Sequence, residues 1–440
     1  MAMPLVQRRL DRCDLLAAAL LLALIPAVFG PLLDHLVRGT STTAPYTDYP
    51  AHNAFAARMH QECRVVLPHP LYHFALLGVK AIIDPFTTHL PEPNAQAAIE
   101  SAGKEMQGEA LAALNQQYAP AAVVTVLLFL VLLAFILWFQ IRQAAGIHTL
   151  WGVWLTMPLI VGLMLAAPIA LLHGIDGKFY FGYVGINVWH SPTVLAARPF
   201  ALLTFLCVLA AFRPQGSIRR PGLFLIAVIV IIGALAKPSF LIALLPATML
   251  AASYRMFMSK EPVDRRLLIT AILVPAGMVL AWQSKIYAAL TGGAHAKFSP
   301  LDTMRSMSDH LAIKFALSVL FPVVCYIAWG DDARRRFRLN FAWLAFGIGL
   351  GFTYLLAETK RTAHGNFLWS AQLALFVLLV ESTLCVIESV RIRWPQADCR
   401  RRTTILAAVC AGVLAMHVGF GIWYYAHLVS TPNTVPLIYK

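Results

Sequence analysis

The sequence predicts an all-α protein, a polytopic bundle of about eleven membrane-spanning helices with interfacial helices in a long first outer loop. Of its 440 residues, 59% are hydrophobic and only 13% are charged. Such a chain is too apolar for a soluble domain, which must cover its core with polar surface. Apolar runs of about 20 residues recur along the chain, and basic residues concentrate in every second connection between them.

The apolar runs give the predicted spans in chain order. They are 15–34, 118–140, 150–172, 192–212, 221–236, 239–257, 267–290, 311–330, 339–357, 367–390 and 404–427. No internal repeat is visible in the sequence, so residues 1–440 are predicted to form a single membrane domain. The first run follows a basic start, and a cleaved secretory signal is therefore an alternative for that segment.

The basic connections predict the orientation of the chain. They contain Arg8, Arg9, Arg12, Arg142, Arg213, Arg219, Arg220, Arg255, Lys260, Arg265, Arg266, Arg334, Arg335, Arg336, Arg338, Arg391, Arg393, Arg400, Arg401 and Arg402. Their alternation follows the positive-inside rule, which explains the excess of 35 Lys and Arg over 21 Asp and Glu without a nucleic-acid partner. We expect a cytoplasmic N-terminus and a bacterial inner-membrane location, with the active face in the periplasm.

The unusual polar sequence lies in the outer connections, near 35–117, 173–191, 291–310 and 358–366. The first of these is a large periplasmic loop, and long connections in compact domains tend to carry function. Within it, the stretches 69–83 and 94–117 have the composition of helices that lie along the membrane surface.

The stretch "YTDYPAHNAF" begins at Tyr46 in this loop. Thr47 or Asp48 can cap a short helix with Pro50 in its first turn, and His52 then lies one turn from Asp48. Asp48 is also a candidate general base, a role compatible with capping. A cluster of Asp48 with the nearby histidines would suit a metal, although interfacial histidines are common: His52, His60, His69 and His73. We assign no metal ligand, and a divalent metal ion stays open as the one cofactor.

Several cations fall within or beside the predicted spans, where a charge is expensive and usually faces the bundle interior. Snorkelling to the headgroup layer explains Lys285 and Lys314. It is less adequate for Arg198 and for Lys237, which precedes a helix break at Pro238. Convergence of these two with Arg361 would build an anion site at membrane depth, suited to a lipid phosphate. Aromatic residues around the same loops would serve either as an interfacial belt or as platforms for sugar rings: Tyr180, Phe181, Tyr183, Trp189, Phe367 and Trp369.

This layout resembles the GT-C superfamily of polytopic glycosyltransferases, which use polyprenyl-linked sugar donors. The most specific stretches are "TDYPAH", "NVWHSPTVLAARPF", "AKPSFLIALLP" and "ETKRTAHGNFLW". The resemblance implies inverting transfer of a sugar from a polyprenyl-phosphate-linked donor to a hydroxyl of an envelope glycan, lipid or protein. It also implies that Asp48 is the catalytic residue. Many members carry two acids in this loop, whereas Asp48 is single here.

The resemblance assigns the remaining site residues to substrate binding. Arg198, Lys237 and Arg361 would stabilise the leaving phosphate, with Lys360 and His364 as second choices. Glu358 would bind sugar hydroxyls or pair with one of these cations. His52 and Asn366 complete the expected substrate-binding set.

Other functions fit parts of the same pattern. A transporter or flippase of a charged or lipid-linked solute would explain the broken helix and the intramembrane charges. A polymerase or ligase for surface polysaccharide would share the lipid-phosphate chemistry, and a non-catalytic assembly protein would share the layout.

Overall fold

The computed structural model describes residues 11–38, 47–86, 109–214, 219–359 and 365–430. They form helices and one short β-ribbon. The helices are α1 (Arg12–Arg38), α2 (Tyr49–Gln61), α3 (Leu71–Ile83), α4 (Glu109–Ala145), α5 (Leu150–Leu165), α6 (His173–Asp176), α7 (Pro192–Ala211), α8 (Arg220–Ala236), α9 (Pro238–Ser259), α10 (Arg265–Thr291), α11 (Asp302–Arg305), α12 (Leu311–Ala328), α13 (Gly330–Arg335), α14 (Phe337–Leu355), α15 (Leu368–Arg393) and α16 (Ala397–Ser430). The strands are β1 (Ala296–Phe298) and β2 (Leu356–Glu358).

Eight helices in the described part of the chain are long and apolar enough to cross a membrane, namely α1, α4, α7, α9, α10, α12, α15 and α16. They make this an integral membrane protein with a helical bundle. The other three predicted spans correspond to α5, α8 and α14, helices of 16, 17 and 19 residues that are not among the eight. The predicted count of about eleven spans is therefore not confirmed.

Helix α5 ends at Leu165, whereas the apolar pattern predicts a span that continues to residue 172. Beyond Leu165 the main chain bonds to α16 instead of continuing the helix. The Ala167 N–H donates to the His417 carbonyl oxygen at 3.0 Å, and His417 Nδ1 lies 2.7 Å from the Ala167 carbonyl oxygen. This close approach requires Gly421 on α16, because a Cβ there would collide with the Leu165 carbonyl.

The predicted interfacial helix at 69–83 is confirmed as a helix by α3. The second predicted surface helix, 94–117, lies partly outside the described residues. Its last part, from Glu109 onward, does not form a separate helix but is the start of α4. Pro120 lies inside α4, so no break separates the surface segment from the span.

Helices α7 and α15 form the centre of the bundle. In each, 78% of the apolar window is buried, compared with 17% for the peripheral α16. Helix α15 packs against α7, α9, α14 and α4, and its residues from Leu368 to Cys385 are almost all buried. Any polar group on the facing sides of α7 and α15 is thus withdrawn from lipid.

One end of the bundle is rich in arginine, and two of these arginines, the buried Arg142 and the half-buried Arg338, are paired with acids from distant segments. Arg142 on α4 pairs with Asp11 and Asp14, and Arg338 on α14 pairs with Glu381 at 2.7 Å. We call this the arginine-rich end. The loop end, which lies opposite, contains α2, α3, the segment 166–191 and the β-ribbon.

The β-ribbon is an addition to the predicted all-α fold. It pairs Ala296 with Glu358 in antiparallel register. Glu358, predicted at the end of a helix, therefore lies on a strand directly after α14, and the ribbon fixes its direction.

Candidate functional site

Asp48 lies at the N-cap position of α2, with Pro50 in the first turn as predicted. Its side chain, however, makes no capping hydrogen bond. The Asp48 main-chain N–H donates to the His190 carbonyl oxygen at 2.9 Å, which ties the start of α2 to the segment before α7. Within the described part of the chain, the half-buried Asp48 carboxylate has no hydrogen-bond or ion-pair partner, and it remains available as an acceptor.

Lys237 lies in the predicted break between α8 and α9. Its backbone is extended, and Pro238 starts the next helix. The Lys237 ammonium donates to Thr193 Oγ1 on α7 at 3.2 Å and lies 4.5 Å from the ring centre of Trp369 on α15. It is close enough to Asp48 for the two charges to interact. The break thus brings a cation to the top of the α7–α15 interface, beside the candidate base.

Arg198 lies in the same interface but deeper. It is completely buried, and none of its three guanidinium nitrogens has a hydrogen-bond partner among the residues that the structure describes. Its guanidinium carbon lies 4.1 Å from the ring centre of Phe376. Lys237 contacts Thr193 on α7 and Trp369 on α15. Arg198 lies five residues after Thr193, and its own contact, Phe376, lies seven residues after Trp369. The helical rise over these intervals places Arg198 about 7–10 Å below Lys237 along the helix axes.

Two of the three cations that were predicted to converge therefore lie near one another, but at different depths in the bundle. Arg198 and Lys237 share one helix interface, but they do not meet at one point. An unpaired guanidinium in the interior is costly, and a bound anion would relieve that cost. Arg361, Lys360 and His364 lie outside the described residues.

Glu358 and Asn366 form a buried polar cluster at the loop end. The Asn366 side-chain amide donates to both Glu358 carboxylate oxygens, at 2.9 and 3.0 Å, and the Tyr287 hydroxyl on α10 donates to Glu358 as well. Asn366 stands three residues before Trp369, which places this cluster next to the Lys237 site. Glu358 is engaged by hydroxyl and amide donors, and it pairs with neither Lys237 nor Arg198.

His52 turns toward α3 and two other histidines. Its Nδ1 lies 3.0 Å from His73 Nε2, and the ring centres of His52 and His69 are 6.4 Å apart. Burial lowers the pKa of His73 to about 3 and holds the pKa of both His52 and His69 well below the ordinary value. These imidazoles are neutral at pH 7, and the His52–His73 contact is a hydrogen bond between two neutral rings.

The histidines do not assemble the metal cluster considered from the sequence. Among the residues that the structure describes, no three His, Cys, Asp or Glu side chains are placed so that they could hold a metal ion. His52 contacts its neighbours on α3, and its ring hydrogen bond is made with His73.

Lys314 contradicts the snorkelling interpretation. It is fully buried, donates to Asp176 on α6 and donates to the Phe181 carbonyl oxygen at 2.8 Å. The pair joins α12 to the loop end, so this lysine is a structural cation with an acid of its own.

Sequence reasoning missed His190 as a site residue. Its ring centre lies 5.3 Å from that of Tyr180 and 6.4 Å from that of Trp369. Burial lowers the pKa of His190, and the Asp48 carboxylate opposes that shift. The sequence offered one indication of its role, its position two residues before Pro192, which starts α7. The contact of the Asp48 N–H with this segment is visible only in the structure.

The chain matches no protein-family model, no curated protein sequence and no solved structure. The functional argument therefore rests on the geometry of these side chains.

Proposed function

We propose that this protein is a GT-C-like membrane glycosyltransferase. It would transfer a sugar from a polyprenyl-phosphate-linked donor to an acceptor hydroxyl with inversion at the anomeric carbon. The supporting observation is that an unpaired carboxylate, Asp48, lies beside Lys237 at the top of an interface whose interior holds the unpaired guanidinium of Arg198.

In this mechanism, Asp48 accepts the proton of the acceptor hydroxyl as its oxygen attacks the anomeric carbon. The bond between that carbon and the donor phosphate oxygen breaks, and negative charge accumulates on the leaving phosphate. Lys237 neutralises this charge, while Trp369 and Thr193 hold the ammonium in place. The buried Arg198 adds a second positive charge along the same interface.

The remaining groups at the loop end suit sugar recognition. Glu358 and Asn366 present oxygen and amide groups near the N-terminus of α15. The rings of Tyr180 and Trp369 on either side of His190 are flat apolar surfaces for a sugar ring.

The cellular setting of the reaction is part of the same proposal. The donor would reach the α7–α15 interface from the outer leaflet of a bacterial inner membrane. The acceptor, an envelope glycan, lipid or protein, would approach from the periplasm, and the N-terminus would be cytoplasmic, in agreement with the charge distribution of the connections.

The test compares Asp48→Asn with the matched control Asp309→Asn in membranes supplied with a polyprenyl-phosphate sugar. Asp309 is an exposed acid of the loop end. Loss of a general base lowers the transfer rate by about 10²–10⁴-fold. We expect this loss for Asp48→Asn alone, with both variants retaining the wild-type unfolding midpoint. Wild-type transfer by Asp48→Asn would remove Asp48 from the mechanism.

A transporter or flippase is the second candidate, and the helix break at Lys237 favours it. Interrupted helices that carry a charge are typical of substrate sites in transporters. Sealed vesicles containing the purified protein distinguish the two functions. A transporter accumulates or flips an unchanged solute, whereas the glycosyltransferase converts the donor into free polyprenyl phosphate and a glycosylated acceptor.

A further inference from the structure

A cavity of about 620 Å³ lies at the arginine-rich end, between α9 and α14. We call it the inner cavity. Its apolar walls come from Leu250 on α9 and from Phe337, Phe341 and Leu344 on α14. Leu250 is 57% exposed on the flank of a candidate span, so the cavity opens toward the region of the surrounding lipid.

The polar end of the inner cavity carries Arg334 and Arg335, both exposed. Glu261 also lines the cavity, but its carboxylate pairs with Arg255. Asn340 donates to the Arg334 carbonyl oxygen at 2.9 Å and accepts from Tyr326 at 3.0 Å, which holds the turn between α13 and α14. Within the described part of the chain, neither Arg334 nor Arg335 has an acidic partner, so the cavity has an excess of positive charge.

A neighbouring cavity of about 250 Å³ differs from the inner cavity in its charge balance. It also contains two arginines, Arg336 and Arg338. Each is matched by a glutamate, Arg336 by Glu388 and Arg338 by Glu381. The charges in that cavity are balanced by the protein itself, whereas those of the inner cavity are not.

We propose that the inner cavity binds an anionic phospholipid. The headgroup phosphate accepts hydrogen bonds from Arg334 and Arg335, and an acyl chain lies along the apolar wall. Arginine suits this role because its planar fork binds phosphate in a bidentate manner. Basic pockets between membrane helices with apolar walls are typical sites for acidic lipid headgroups. The site is at the end of the bundle opposite Asp48, and it does not depend on the proposed reaction.

The acyl chain decides between a lipid and a soluble anion. A free phosphate or glycerophosphate would contact only the arginines. A phospholipid also covers Leu250 and the aromatic rings of α14, which would otherwise line a cavity large enough for many waters. The apolar wall therefore favours the whole lipid over its headgroup.

The experiment measures lipid binding to the purified full-length protein by native mass spectrometry. The probes are dioleoyl phosphatidylglycerol, dioleoyl phosphatidylcholine and soluble glycerophosphoglycerol. The double variant R334A/R335A is compared with R401A/R402A, which removes two adjacent exposed arginines of the same end outside the cavity. Leu250→Trp keeps both arginines while it narrows the apolar wall.

We expect wild type to prefer phosphatidylglycerol to phosphatidylcholine, and R334A/R335A to bind phosphatidylglycerol about thirtyfold more weakly. R401A/R402A should stay within about twofold of wild type, and Leu250→Trp should weaken lipid binding. Equal losses in both double variants would indicate diffuse attraction and overturn the proposal. Binding of glycerophosphoglycerol as tight as that of the lipid would also overturn it, because the site would then be a soluble-anion site.

Discussion

Replacing Arg198 with methionine should stabilise the unliganded protein while it lowers the rate of sugar transfer. The substitution removes a buried positive charge whose three nitrogens lack partners in the part of the chain that the structure describes, and it keeps a long apolar side chain against Phe376. Each unsatisfied buried donor costs about 1–3 kcal/mol. The contact between the guanidinium and the Phe376 ring offsets about 0.5–2 kcal/mol of this cost. The balance of these terms favours the variant, and we expect an increase of about 1–4 kcal/mol in the free energy of unfolding, the range found when buried ionic groups are replaced by apolar ones.

Arg142→Met is the matched control because this arginine is equally buried but pairs with Asp11 and Asp14. Its removal leaves Asp14 buried without its cation, which should cost about 3–5 kcal/mol. The two substitutions are chemically identical, so opposite signs of the change would isolate the effect of pairing.

The assay follows thermal unfolding of purified protein by tryptophan fluorescence, with and without polyprenyl phosphate. Without lipid, the unfolding midpoint should rise for Arg198→Met and fall for Arg142→Met. Polyprenyl phosphate should raise the midpoint of wild type, because binding to the folded state alone is stabilising. It should raise the midpoint of Arg198→Met less, because only Lys237 then remains to neutralise the phosphate. A fall in the midpoint of Arg198→Met comparable to that of Arg142→Met would refute the inference that Arg198 lacks a structural partner.

Three further predictions concern the rest of the bundle. Because the pKa of His73 is about 3 in the folded protein and about 6.5 when unfolded, stability should fall as pH drops below 6.5, by about 2 kcal/mol at pH 5. His73→Leu should remove this part of the pH dependence, and an unfolding midpoint equal at pH 7.5 and pH 5 would contradict it. Glu358→Gln should cost about 1–3 kcal/mol, because its new amide faces the donating amide of Asn366; an unchanged denaturant midpoint would argue against that contact. Gly421→Ala should lower the thermal midpoint because its Cβ meets a main-chain oxygen of α5, whereas Gly419→Ala, with open space around it, should not.

The parts of the fold that were predictable from the sequence depend on local patterns. Long apolar runs, the break before Pro238 and the short helix after Asp48 each follow from residues within one or two turns. The early end of α5 does not, because it depends on a contact with His417, some 250 residues away. Likewise, the β-ribbon that holds Glu358 pairs segments about 60 residues apart.

The sequence identified the charged residues of the candidate site, but it could not show which of these cations have an acidic partner. The cost of a charge in a membrane drew attention to Arg198, Lys237 and Lys314, and the sequence assigned Lys314 to snorkelling. Lys314 proved to be paired with Asp176, an acid 138 residues away, whereas Arg198 has no such partner in the described segments. Hydrophobicity patterns carry no information about such distant partners, so sequence alone could not separate structural cations from those that require a ligand.

The position of Asp48 beside Lys237 bears on the choice between the two proposed functions. A site that only transports an anion gains affinity from Lys237 and from Arg198, but a nearby carboxylate repels the anion and weakens its binding. Within the described residues, this carboxylate neither caps α2 nor forms a contact ion pair. An acid that lowers anion affinity is understandable if, besides its interaction with Lys237, it accepts a proton during a reaction at that anion. Transfer to an acceptor hydroxyl requires this step, whereas transport does not, and the geometry accordingly favours the glycosyltransferase.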